Sequence, residues 1–137
     1  MDSPKKFIIW NERYSVHHEE IDTQHAELVN LINLLYDSVQ IGNKENNSLL
    51  IVKLQEYARL HLQTETEIMT SVNYPNIKEH MEHHNKLIIA LDRLSSQHKL
   101  YDNNMIREVL SVIKEWWLKH EASFDREYID YIDKDNE

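Results

Sequence analysis

The chain has 137 residues, enough for one domain with a real core. It holds no cysteine, 1 glycine and 2 prolines, which excludes a disulfide framework or a thiolate metal site and favours helices. Its formal charge of -9 repels phosphate backbones and anionic lipid, so neither nucleic acid nor a membrane is an expected partner. No segment reaches transmembrane length, and a cytoplasmic protein is expected.

Residues 1–20 read as an extended N-terminal arm, with Trp10, Tyr14 and Val16 available to pack on the helices. Residues 21–132 then divide into four periodic segments. The breaks are IGNKENNS at 41–48, SVNYPN at 71–76 and HKLYDNN at 98–104. Asp22 or Thr23 is placed to cap the first helix. Pro75 is placed to open the third, where its missing N–H is no loss. Short breaks between long helices predict an all-α, up-down-up-down antiparallel four-helix bundle. With no repeat, linker or low-complexity tract, residues 1–137 read as a single domain, and as a monomer.

Apolar residues of a packed helix recur at three- and four-residue steps. The first segment gives Ile21, His25, Leu28, Ile32, Leu35 and Val39. The second gives Leu50, Leu54, Tyr57, His61, Glu65, Ile68 and Val72. The third gives Ile77, His80, His84, Leu87, Leu91 and Leu94, and the fourth Ile106, Val109, Ile113, Trp116, His120 and Phe124. Each stripe is apolar except where a histidine or carboxylate interrupts it. A single core histidine with a hydrogen bond is ordinary. Six inward polar residues, with Asp125 beside them, are hard to satisfy by hydrogen bonds alone, because burying a titratable group without a partner is costly. Cations resolve the conflict.

Spacing agrees. Residues four apart lie about 40° apart around a helix, so His61/Glu65 and His80/His84 each reach toward one ion. His120 and Asp125 are five apart, about 140° on a regular helix. Asp125 joins the set only if the helix is distorted, for instance by a π-bulge, and a regular helix over 118–127 would count against it. Histidine and carboxylate without sulfur suit iron, manganese or zinc. A structural zinc needs only four ligands, whereas seven with two carboxylates suit a pair of ions. Ferritin-like di-iron bundles use Glu-x-x-His, which this chain lacks.

These residues resemble the hemerythrin family, in particular its single-domain bacterial members. The matching pieces are Trp10, Tyr14-Ser-Val16, Ile21-Asp22-Thr-Gln-His25, and His61-x-x-x-Glu65 with Met69. They continue with Tyr74-Pro75, His80-x-x-x-His84, Trp116, and His120-x-x-x-x-Asp125 with Tyr128. The resemblance implies a cofactor of two non-haem iron ions, bridged by Glu65, Asp125 and an oxo or hydroxo group, that binds dioxygen reversibly. It implies that His80, His84 and His120 hold one iron and that His25 and His61 hold the other, which keeps an open position. Carrier, store or sensor is the function it implies. A redox enzyme acting on peroxide or nitric oxide, or an iron-buffering bundle, would use the same residues.

The chain departs from the family pattern at Trp117, where leucine usually lines the dioxygen pocket, at Glu121, and at His17-His18. Trp117 either lines that pocket or packs against a neighbouring helix. Glu121 and His83 are expected to face solvent, and His17, His18 and His98 to be exposed. Asp22 reads as a cap more than as a partner of the site. Met69, Met81 and Met105 read as packing residues.

Overall fold

A computed structural model describes residues 7–10, 12–96, 103–118 and 122–135. Among these the chain is helical without strands: a 3₁₀ turn, Glu12–Tyr14, then α1 Glu19–Ile41, α2 Lys44–Ser71, α3 Ile77–Ser96, α4 Asn103–Trp116 and α5 Ala122–Asp135. Packed pairs are α1 with α2, α2 with α3, α3 with α4, and α1 with α4. Among the described residues, no helix is long and apolar enough to cross a membrane.

The first break is shorter than its composition suggests. Gly42 takes a left-handed conformation (φ 81°), and its N–H reaches back to the carbonyls of Ser38 and Val39. Asn43 then caps α2, its side chain accepting from the Asn46 N–H at 3.1 Å. Two residues therefore make the turn, and the polar run ENNS, expected in the loop, opens a helix because Asn43 satisfies its first N–H groups. The second break falls where expected, between Ser71 and Ile77. The expected third break lies mostly outside the described residues, between Ser96 and Asn103.

Two expectations at the start of α1 are corrected. The cap is His18, whose Nδ1 accepts from the Ile21 N–H at 3.3 Å. Asp22, already inside the first turn, straps the arm instead. Its carboxylate accepts from Ser15 Oγ at 2.7 Å and from the Val16 N–H at 2.9 Å. Further out, the backbone of Ile8 exchanges two hydrogen bonds, both 2.8 Å, with the Asn33 amide. Phe7 stacks on Tyr36 with centroids 4.6 Å apart. The arm is thereby tied to α1 at both ends.

The expected fourth segment is two helices, not one. Regular α-helix ends at Trp116, Trp117–Leu118 form a wider π-helical turn, and α-helix resumes at Ala122. A five-residue spacing cannot put two side chains on one face of a regular helix, and the interruption resets the phase before Asp125.

The apolar core is in two parts. The larger contains Leu28, Ile32 and Leu35 of α1, Ile51 and Leu54 of α2, Leu87 and Leu91 of α3, and Ile106 and Ile113 of α4. Each fully buried aliphatic side chain contributes about 1.5–3 kcal/mol relative to exposure. The smaller holds Val16, Ile21, Met69, Tyr74, Tyr128 and Ile129. Along α1, α2 and α3 the candidate ligands fall between residues of the large core and residues of the small one. A polar layer thus separates two apolar layers.

Candidate metal centre

Six of the seven expected ligands are buried together. His25, Glu65 and Asp125 are 0% exposed, and His61, His80 and His84 are 1% exposed. His120 lies outside the described residues, as do Glu121 and His98. The six arrive from different elements: His25 from α1, His61 and Glu65 from successive turns of α2, His80 and His84 from successive turns of α3, Asp125 from α5.

The atoms that face one another are imidazole Nε2 and carboxylate oxygen. His25 Nε2 lies 2.6 Å from Asp125 Oδ2, and His61 Nε2 is against Glu65 Oε1. His80 Nε2 is 3.1 Å from both Glu65 Oε2 and Asp125 Oδ1. His84 Nε2 is 3.2 Å from Glu65 Oε1. Two sets have ligand atoms all within 4.8 Å of one another: His25, His61, Glu65 and Asp125, and Glu65, His80, His84 and Asp125. Both carboxylates belong to both sets.

Hydrogen-bond logic tests whether a cation fits. His61 Nδ1 lies 2.7 Å from Gln24 Oε1. Thr64 Oγ1 donates to the Leu60 carbonyl at 3.1 Å, so toward Gln24 it accepts, from Nε2 at 3.1 Å. That fixes the Gln24 amide with its oxygen toward His61, and His61 carries its proton on Nδ1. The neutral ring then aims the lone pair of Nε2 at a carboxylate oxygen and at His25 Nε2, 3.1 Å away. Acceptor facing acceptor in a buried site requires either an extra proton or a cation between them. The donor set fits a metal.

Electrostatics carry the same signature. Burial alone would push the Glu65 carboxyl up. The imidazoles of His61 and His84, with hydrogen bonds from His25 and His61, outweigh it and hold that carboxyl well below the usual carboxylate range. Burial would push His80 down, but its hydrogen bonds to Asp125 and Glu65 raise it to about 9.

The surroundings differ from expectation at two places. His83 is buried rather than solvated. Its ring stacks on Phe124 (centroids 4.2 Å, planes 6° apart) and on Trp116 (4.6 Å, 15°), and its carbonyl accepts from Trp116 Nε1 at 2.9 Å. The apolar-stripe rule missed it because stacking, not the stripe, buries this ring. Trp117 is 1% exposed and joins the large core, and its ring also meets His25 edge-on at 5.3 Å. Both sequence readings of that residue hold a part of its environment. Gln24 is the site residue that sequence reasoning passed over. Only its place next to His25 could have signalled it, because its partners, His61 and Thr64, are 37 and 40 residues away.

Residues 16–132 match the family described as the hemerythrin HHE cation binding domain, and the chain belongs to that family. Among curated proteins, a bacteriohemerythrin of Clostridium acetobutylicum is 27% identical over 128 residues, covering 90% of this chain and 99% of that protein. A bacteriohemerythrin of Campylobacter jejuni is 24% identical over 130 residues, covering 93% and 97%. One from Methylococcus capsulatus is 22% identical over 107 residues, covering 78% and 82%.

Proposed function

We propose that the buried cluster is a carboxylate-bridged di-iron centre that binds dioxygen reversibly. The observation that carries this reading is the sharing of Glu65 and Asp125 by two ligand sets. One ion would need one set; two sets with common carboxylates suit two ions with two bridges. His25 and His61 would hold one iron. His80 and His84 would hold the other, together with His120. The whole chain would form one hemerythrin-like domain, its helices arranged up-down-up-down and antiparallel.

The iron pair, when bound, supplies the electrons for reversible dioxygen binding. The protein residues do the rest. Gln24 holds the His61 proton on Nδ1 and leaves Nε2 free to ligate. The apolar layers on either side, with Leu28 above and Ile21, Met69 and Tyr128 below, exclude water from the charged layer. Trp117 closes the His25 side and would line the dioxygen pocket.

Iron content and visible absorption test the reading. The expected result is two irons per chain and a spectrum that changes on admitting air to the reduced protein and reverts under argon. One ion per chain, or a spectrum that never reverts, would overturn it.

A further inference from the structure

Three aromatic side chains connect the His25 ring to the protein surface. Trp117 stands edge-on to His25, with ring centroids 5.3 Å apart and planes at 89°. Its other ring neighbours are Tyr14 at 5.3 Å and Trp10 at 6.3 Å, which lie 5.8 Å from each other. Trp117 is buried, while Tyr14 and Trp10 are half-buried. The series therefore runs from a histidine of the site to rings that meet solvent. All three are of the two side-chain types that lose an electron most readily.

Trp117 Nε1 is buried and has no hydrogen-bond partner among the described residues. An oxidised indole there has no adjacent base to take its proton. The missing electron is then not trapped as a neutral radical and stays free to be refilled from the next ring. Trp116, on the other side, differs. It abuts His84 at 5.9 Å, but its N–H is engaged by the His83 carbonyl and its ring is covered by His83. No described tryptophan or tyrosine ring continues from it.

We propose that Trp117, Trp10 and Tyr14 form a one-electron relay that carries oxidising equivalents out of the site when hydrogen peroxide reacts there. The proposal rests on the di-iron reading. Reduction of one peroxide to two waters at an already ferric centre consumes two electrons and two protons. Trp117 delivers the electrons singly. Trp10 and Tyr14 refill it, losing one electron each. Tyr14 releases its phenol proton to solvent, and the protons consumed at the site come from solvent. A one-electron reductant such as ascorbate restores both rings. Without the relay, the same equivalents would oxidise the ligand histidines.

The test mixes iron-loaded, oxidised protein with hydrogen peroxide. Rapid-freeze electron paramagnetic resonance and peptide mass mapping are the readouts. Iron content and the air–argon spectrum are measured on the same preparation. The expected result is an aromatic radical followed by oxidation at Trp10 and Tyr14, absent from metal-free protein given the same peroxide. Trp117→Phe should reduce those marks several-fold. Combined Trp10→Phe and Tyr14→Phe, which alters only half-buried rings, should shift the mark to Trp117. Undiminished marks in Trp117→Phe, an unmarked Trp117 in the double variant, or oxidation on Trp116 instead would overturn the relay. Protein that cycles dioxygen yet shows no aromatic radical or mark would overturn the relay alone. Protein that holds no iron would overturn both readings.

Discussion

Gln24→Leu tests the ligand geometry without touching a ligand. In the native protein, Gln24 Oε1 accepts from His61 Nδ1 at 2.7 Å, and its amide is held in turn by Thr64 at 3.1 Å. Leucine fills similar space but offers no acceptor. His61 Nδ1–H is then left unsatisfied in a core position, a penalty of about 1–3 kcal/mol. The ring can escape by moving its proton to Nε2, but that blocks the ligating lone pair. Either way metal binding weakens, by about 10–100-fold as for other partners that orient a metal-bound histidine, or roughly 1.4–2.8 kcal/mol. The assay is an anaerobic ferrous titration against a competing chelator. Gln24→Glu serves as the companion, because a carboxylate still accepts the proton and should retain affinity. An affinity within about twofold of wild type for Gln24→Leu would refute the tautomer argument.

Metal loading near neutral pH should release protons, since His80 is raised to about 9 in the metal-free fold and must be neutral to ligate; a pH indicator in weak buffer records it. In metal-free protein, the stabilisation from a raised His80 is complete below its ordinary 6.5 and is lost as pH rises through about 9. That from the depressed Glu65 is present above 4.5 and lost as pH falls. Urea unfolding of the metal-free protein at neutral pH and at both extremes should therefore show a maximum between them. Asp22→Ala removes the acceptor for Ser15 and Val16; it should cost about 1–2 kcal/mol and speed proteolysis of the arm, read by limited digestion. Gly42→Ala should cost about 1 kcal/mol in thermal unfolding, from backbone strain alone, because a Cβ there meets nothing within 4 Å.

Helical period and composition identified the helical segments and the buried faces, because an amphipathic helix writes its own packing into spacing. His25, His61, Glu65, His80 and His84 were legible for the same reason: a titratable residue on an apolar stripe is a contradiction that has to be resolved. Asp125 was legible only through its distance from His120, which required a break in the helix. Other features were not local. The turn at Gly42–Asn43 looked like a long polar loop, since a cap decides where such residues become helical. The strap from Asp22 to Ser15 and Val16 was mistaken for a cap, since both roles use one short carboxylate near a helix start. His83 lies off the stripe and is buried by two flat rings, Trp116 and Phe124, that come from other helices.

The sequence by itself determined that this protein is helical, that its core carries a layer of imidazole and carboxylate, and which family pattern those residues match. Each of these depends on side-chain identity and on spacing within one helix. Tertiary structure alone decided that Glu65 and Asp125 serve both halves of the cluster, that Gln24 sets the His61 proton, and that Trp117 leads from His25 to the arm. Those depend on distances between residues tens of positions apart, which spacing along the chain does not encode and only the packing of helices against one another establishes.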